Sequence, residues 1–175
     1  MESERVISYI SLGSNLGDRA GNLLLGVRGL IEASLLVTKL SAVYETEPVD
    51  IETDKPFLNM VAEVRSEAIT PSQMMARLLR IEYLLGRTDK SNKKPRTIDL
   101  DLLLFGSQQT DSPFLTVPHP RMHLRNFVLV PLAEIAPKAI HPLLNKDAKT
   151  LLLESPDMSA VTRWYPTATR VDAQA

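Results

Sequence analysis

An α+β fold, with helices packed on one face of a largely antiparallel sheet, is what three observations predict. Strand-like runs occur at residues 6–12, 36–46, 57–65 and 97–105. Runs with helical apolar spacing follow the first and the third of them. The resulting order, strand, helix, strand, strand, helix, strand, is the split β-α-β pattern of ferredoxin-like domains. That layout leaves the second face of the sheet for a ligand.

The first strand, residues 6–12, is rich in β-branched and aromatic residues and runs into Gly13-Ser14-Asn15-Leu16-Gly17-Asp18. This stretch joins a strand to a helix without a Gly-Lys-Ser/Thr ending or a G-x-G-x-x-G pattern, so a tight turn with Asp18 at the helix start is favoured over a phosphate loop. Leu23, Val27, Leu30 and Ile31 then recur at helical spacing, while Gly21, Gly26 and Gly29 weaken the propensity, so packing must hold this helix. Residues 36–46 read as one strand. In residues 57–65, Leu58, Met60, Ala62 and Val64 take the core face, and Phe57, Asn59, Val61 and Glu63 the other. Thr70-Pro71-Ser72-Gln73 is a capping box with proline at the first helical position. Met74, Leu78, Ile81 and Leu85 form the stripe of a helix that stops at Gly86. C-terminal additions follow the fourth strand: a helix running at least from Pro131 to its end at Pro137, a short helix at 150–154 and a short strand at 161–164. We expect one domain over residues 1–165, with 166–175 as a flexible tail.

The 175 residues suit a single domain with a real core, and 44% hydrophobic with 23% charged residues is ordinary for a soluble protein. A formal net charge of -1 argues against binding nucleic acid through bulk positive potential. With no cysteine, disulfides, thiolate metal sites and cysteine nucleophiles are excluded. No apolar run approaches the ~20 residues that span a bilayer, and the polar start Met1-Glu2-Ser3-Glu4-Arg5 lacks a signal-peptide layout, so a cytoplasmic protein is expected.

The chemistry concentrates in the fourth strand. Alternation buries Ile98, Leu100, Leu102 and Leu104 on one face and puts Asp99 and Asp101 together on the other. Two neighbouring anions call for a cation, and hard oxygen donors without cysteine favour Mg²⁺ over zinc. Arg96 and the basic run Lys90-Ser91-Asn92-Lys93-Lys94 just before it point to phosphates as the other ligands of the metal, with the loop as a lid. The plainer alternative is an edge strand with two solvated aspartates and a solvated loop. His119, Arg121, His123 and Arg125 gather in 117–127, where Pro118 and Pro120 disfavour a helical zinc pair and phosphate contacts are the better reading. Phe57 and Asn59 offer an aromatic wall and an amide, suited to a flat heterocycle that forms hydrogen bonds.

Several segments together resemble one family, 6-hydroxymethyl-7,8-dihydropterin pyrophosphokinase. They are residues 9–18, 43–49 and 57–59, Glu82 with Leu85-Gly86-Arg87, 95–106 and 117–137, in the family's order. The resemblance implies diphosphate transfer from ATP to 6-hydroxymethyl-7,8-dihydropterin in folate biosynthesis. It implies Asp99 and Asp101 as ligands of two Mg²⁺ ions, Arg96, His119 and Arg125 as phosphate contacts, and Arg87 as a catalytic group on the lid. Thr46, Pro48, Val49, Phe57, Asn59 and Phe127 match the pterin-pocket positions, and Leu102, Leu115 and Thr116 those near adenosine. ATP and the pterin are then the partners, with no nucleic acid and no membrane, and association with the next folate-pathway enzyme is left open. The chain departs from many relatives at Asp89, where they carry a second arginine.

Two readings from other classes stay open on the residues alone. A non-catalytic ferredoxin-like sensor would use the same aromatic pocket. A metal-dependent nuclease or nucleotidyl transferase would use the same aspartate pair but needs a more basic groove.

Overall fold

The computed structural model describes residues 5–47, 55–86 and 96–167. Its main elements are β1 (Arg5–Ser14), α1 (Arg19–Glu32), β2 (Leu36–Leu40), β3 (Tyr44–Thr46), β4 (Phe57–Glu67), α2 (Pro71–Leu84) and β5 (Asp99–Phe105). Beyond these lie the short strands β6 (Thr110–Asp111) and β7 (Thr116–Val117), a 3-10 turn at Met122–Leu124, and α3 (Asn126–Ile135). The chain continues through β8 (Ile140–His141), β9 (Lys146–Asp147), α4 (Ala148–Leu153) and β10 (Val161–Arg163).

The fold is α+β. The main sheet has the order β10-β3-β4-β1-β5, β2 also pairs with β4, and every pairing is antiparallel. β1 is the spine: β4 runs along it from Arg5↔Glu67 to Ser14↔Leu58, and β5 takes its other side. Asp18 caps α1 by accepting the Gly21 N–H at 3.0 Å, which makes the preceding segment a turn into a helix. The Thr70/Gln73 capping box starts α2 with Pro71 in its first turn. Both helices bury most of their apolar stripes, Leu23, Val27 and Leu30 in one and Met74, Leu78 and Ile81 in the other, while Ile31 of the first stays exposed. They join Leu12, Leu58, Met60, Ile98 and Leu100 in the main core. The helices meet at Gly29, where a Cβ would lie 2.6 Å from Ile81 Cγ2, so the glycine that weakens α1 locally is what lets α2 approach.

Three features differ from the sequence expectations. Residues 36–46 form two strands because Ser41 leaves the ladder: its N–H donates to Val61 O and its hydroxyl accepts the Val61 N–H, both at 2.9 Å. From Leu40↔Ala62 to Tyr44↔Asn59 the chain takes four steps against three on β4, so the break acts as a bulge. The register on β1 also slips, from Tyr9↔Leu104 to Ile10↔Leu102. Leu103 is the extra residue, Leu104 therefore turns away from the face of Leu100 and Leu102, and Phe105 fills the main core instead.

The second face is not wholly open either. Val61, Leu103 and Leu104 pack there against Met122, Val128 and Leu132, so α3 covers the half away from the aspartates. That helix begins at Asn126 and holds Pro131 internally, because Asp157 accepts the Asn126 N–H at 2.7 Å and fixes its start from 31 residues away. No helix among the described residues is long and apolar enough to cross a membrane.

Candidate active site

Strand register brings the site together. Ser11 lies opposite Asp101, and Gly13 lies opposite both Asp99 on β5 and Asn59 on β4, giving a row Asp99–Gly13–Asn59 across three strands. At ~4.8 Å per strand step, the aspartates and Asn59 flank a gap about 10 Å wide. Small residues keep that gap empty. A Cβ on Gly13 would lie 2.8 Å from Asn59 Oδ1, so glycine there makes room for the amide itself.

The open half of this face forms a cleft lined by Ser11, Gly13, Thr46, Glu47, Phe57, Asn59, Arg96, Asp99, Asp101, Arg125 and Phe127. Asn59 is buried and donates from Nδ2 to Thr46 Oγ1 at 2.7 Å, which orients the amide. Phe57 and Phe127 supply aromatic surface, and the Arg125 guanidinium stands 5.6 Å from the centre of the Phe127 ring. Arg96 Nη1 donates to Asp99 Oδ2 at 2.7 Å, with both side chains under a fifth exposed. Arg96 is held through its main chain too: Asn15 Oδ1 accepts the Arg96 N–H at 2.6 Å and the Asn15 N–H donates to Arg96 O at 3.1 Å. Arg19 Nη1 donates to Glu45 Oε2 at 2.7 Å and Pro56 O at 3.0 Å, tying the strand ends on either side of residues 48–54.

Of the residues singled out in the sequence, eight line this cleft: Thr46, Phe57, Asn59, Arg96, Asp99, Asp101, Arg125 and Phe127. Pro48, Val49, Arg87 and the segment 88–95 lie outside the described residues. Leu102 and Leu115 are buried in the main core and Thr116 sits in β7, none of them lining the cleft. His119 is not among the residues that line the cleft; its N–H donates to Leu103 O at 2.9 Å and its Nδ1 accepts the Arg121 N–H at 3.1 Å. Ser11, Gly13, Asn15 and Glu47 were not singled out. The signal for the first two was their alternation in β1, which puts both on the face opposite Ile10 and Leu12.

The donor set is all oxygen. Among the described residues no cluster of three or more histidines, cysteines or carboxylates could hold a metal, so the aspartate pair would supply only part of a coordination sphere. That fits Mg²⁺, which keeps waters and takes phosphate oxygens beside one or two carboxylates, and does not fit a closed structural site. Anion-binding arginines, an oxygen-donor pair and a flat aromatic slot on one face suit a phosphorylated ligand beside a heterocycle.

The chain is similar to known proteins. A family model described as 7,8-dihydro-6-hydroxymethylpterin-pyrophosphokinase (HPPK) matches residues 9–137. The 2-amino-4-hydroxy-6-hydroxymethyldihydropteridine pyrophosphokinase of Bacillus subtilis (strain 168) is 47% identical over 130 residues, 74% of this chain and 77% of its own. The Aquifex aeolicus (strain VF5) protein of the same name is 36% identical over 141 residues, 81% of this chain and 87% of its own. A mitochondrial folate synthesis bifunctional protein of Pisum sativum is 39% identical over 140 residues, 79% of this chain but 26% of that longer one. Among solved structures, wild-type Plasmodium falciparum HPPK-DHPS with SDX-DHP matches 87% of this chain with a TM-score of 0.69 at 16% identity. The chain spans 44% of that protein, and the likeness is one of fold.

Proposed function

The chain belongs to the 7,8-dihydro-6-hydroxymethylpterin-pyrophosphokinase family, and from that premise we infer that it moves a diphosphate from ATP to 6-hydroxymethyl-7,8-dihydropterin in folate biosynthesis. It is an ATP-dependent diphosphotransferase. The hydroxymethyl oxygen forms a bond to the β-phosphorus, the bond from that phosphorus to the α,β-bridging oxygen breaks, AMP leaves, and the alcohol proton passes to solvent.

The observation that carries our assignment of roles is the row Asp99–Gly13–Asn59, with anion chemistry at one end and a ring slot at the other. In this reading Phe57 and Phe127 sandwich the pterin, Asn59 and Thr46 bond its edge, and Pro48 and Val49 complete the pocket. Arg96 and Arg125 hold phosphate oxygens, His119 assists from beside the cleft, and Arg87 approaches from the lid. Leu102, Leu115 and Thr116 stand by the adenosine. Asp99 and Asp101 would hold Mg²⁺, two ions in our reading, which when bound offsets charge building on the transferring phosphates. The chain's own contribution is positioning and charge, and no side chain is needed as a dedicated base.

Further readings rest on the same premise. The strand order β5-β1-β4, with β2 and β3 beyond β4 and α1 and α2 on one face, supports a ferredoxin-like sheet with C-terminal additions after residue 105. The pairing of β10 with β3 supports one domain over residues 1–165. Association with the next enzyme of the folate pathway is supported by the bifunctional relatives, in which the matching segment is part of a longer chain.

Incubation with ATP, Mg²⁺ and the pterin, with the nucleotide products resolved, tests the reaction. AMP and pterin diphosphate should appear in equal amounts, and neither with the Asp99→Asn, Asp101→Asn double variant. ADP in place of AMP would overturn diphosphate transfer. Near-normal turnover in both single variants would overturn the metal-ligand role alone.

A further inference from the structure

A buried carboxylate that has no part in the chemistry above lies directly behind it. Glu82, in the last turn of α2, is 1% exposed and follows the core residues Leu78 and Ile81. Its Oε1 accepts the Leu100 N–H at 2.7 Å. Leu100 is the residue between Asp99 and Asp101, and its own side chain is sealed in the main core.

Strand geometry explains the contact. β5 is the outer strand of the main sheet, with β1 its strand partner. An edge strand turns alternate amides away from its neighbour, and each such amide must find an acceptor or water. Here the acceptor is a side chain from a helix, and the amide belongs to the residue between the two aspartates, in the peptide group that joins it to Asp99. Taking a carboxylate out of water is costly unless hydrogen bonds compensate, so a merely space-filling role would be met better by leucine. β1 holds the strand from one side at Gly13↔Asp99 and Ser11↔Asp101, and Glu82 holds it from the other.

We propose that Glu82 is a positioning residue for the aspartate pair: by pinning the Leu100 peptide it sets the direction in which Asp99 and Asp101 present their oxygens to a divalent cation. The proposal rests on the reading of that pair as cation ligands. It assigns Glu82 no contact with substrate, and its effect is one of reach: the acceptor oxygen has to arrive at Leu100. Supporting groups of this kind commonly change metal affinity by about 10–100-fold.

The test uses the full chain with an unreactive ATP analogue and Mn²⁺ as the spectroscopic probe of the cation site, read by electron paramagnetic resonance. Glu82→Gln keeps the reach and loses the charge; Glu82→Asp keeps the charge and loses the reach; Glu82→Leu loses both. Amide exchange of Leu100 in the cation-free protein is the second readout. We expect Glu82→Gln to hold Mn²⁺ within about threefold of the parent and to keep Leu100 protected. Glu82→Asp and Glu82→Leu should bind Mn²⁺ about tenfold or more weakly, with Leu100 exchanging faster. If Glu82→Leu does not fold, the order of the other two decides: Asp binding better than Gln overturns the proposal, because charge and not reach would then matter. Unchanged Mn²⁺ affinity in a folded Glu82→Leu also overturns it. Asp101→Asn is measured alongside, and if it too leaves Mn²⁺ affinity unchanged, the reading of the pair has failed, not only that of Glu82.

Discussion

Arg96 Nη1 stands 2.7 Å from Asp99 Oδ2, an ion pair between the two chemistries of the cleft, anion binding and cation binding. Both side chains are largely shielded, so the pair is more than a screened surface contact. While it persists, one carboxylate is neutralised by a group from its own chain. In the proposed reading, a cation held by Asp99 would replace the guanidinium there, and Arg96 would then be free to bind phosphate oxygens. The two bonds between Asn15 and the Arg96 main chain would keep the residue in place through such an exchange.

Replacing the guanidinium separates its two duties. Arg96→Ala should lower kcat about 10²–10³-fold, the scale for losing one aligned group that stabilises developing charge. Cation binding without nucleotide should be equal or tighter, since the competitor for Asp99 is gone. Arg96→Lys should recover only part of kcat, because an ammonium cannot make the bidentate contact. Steady-state kinetics beside cation titration checks both halves, and weaker cation binding in Arg96→Ala would sink the exchange.

Gly13 tests the other end of the row. A Cβ there would sit 2.8 Å from Asn59 Oδ1 and 3.6 Å from Phe57 Cδ1, while Asn59 cannot swing away without breaking its bond to Thr46. Gly13→Ala should displace the amide at a cost of about 1–3 kcal/mol and raise the pterin KM about tenfold or more. The KM for ATP should move little, because the new methyl points toward Asn59 and Phe57. Equal rises in both constants would mean that the strand itself had shifted.

The aspartate pair and the Phe57/Asn59 face were legible because alternation along a strand is local, set by the residues themselves. Leu104 was misplaced for the opposite reason. Its face is decided by a slip against Tyr9 and Ile10, almost a hundred residues earlier, and nothing within 97–105 announces it. Ser41 breaks its strand through bonds to Val61, and Ala42 gives its N–H to the Glu134 carboxylate, partners no window around residue 41 contains. The glycines of α1 read locally as a weakness and are, at Gly29, a contact surface for a helix forty residues later. Glu82 could be quoted from a motif, but its burial depends on where β5 lies.

That helix contact gives a stability prediction away from the site. Gly29→Ala gains about 1 kcal/mol of helix propensity, while forcing a methyl within 2.6 Å of Ile81 Cγ2 in a packed core costs about 1–3 kcal/mol. We expect net destabilisation of about 1 kcal/mol by denaturant unfolding. Combined with Ile81→Ala, which removes the opposing methyl, the same change should become neutral or stabilising. A penalty that survives in the double variant would mean that the close approach is not its source.

Asp157 supplies a pH dependence with a definite sign. Burial works to raise its carboxyl, but hydrogen bonds from Ser159 Oγ at 2.6 Å, Ser159 N at 2.9 Å and Asn126 N at 2.7 Å, together with the charge of Arg125, hold it below the ordinary carboxylate range. A carboxyl lowered by folding adds stability that is fully present above its unfolded value of about 3.9 and is lost as the pH falls through the folded one. Asp157→Asn should therefore melt below the parent protein by a constant interval from about pH 7 to pH 5, and the gap should close below about pH 4. The same variant loosens the start of α3, which carries Phe127 and follows Arg125, so its pterin KM at pH 7 should rise with the loss of stability. A gap that widens in acid would show that Asp157 is not held in its charged form by these bonds, and a pterin KM that stays put would detach the helix start from the slot.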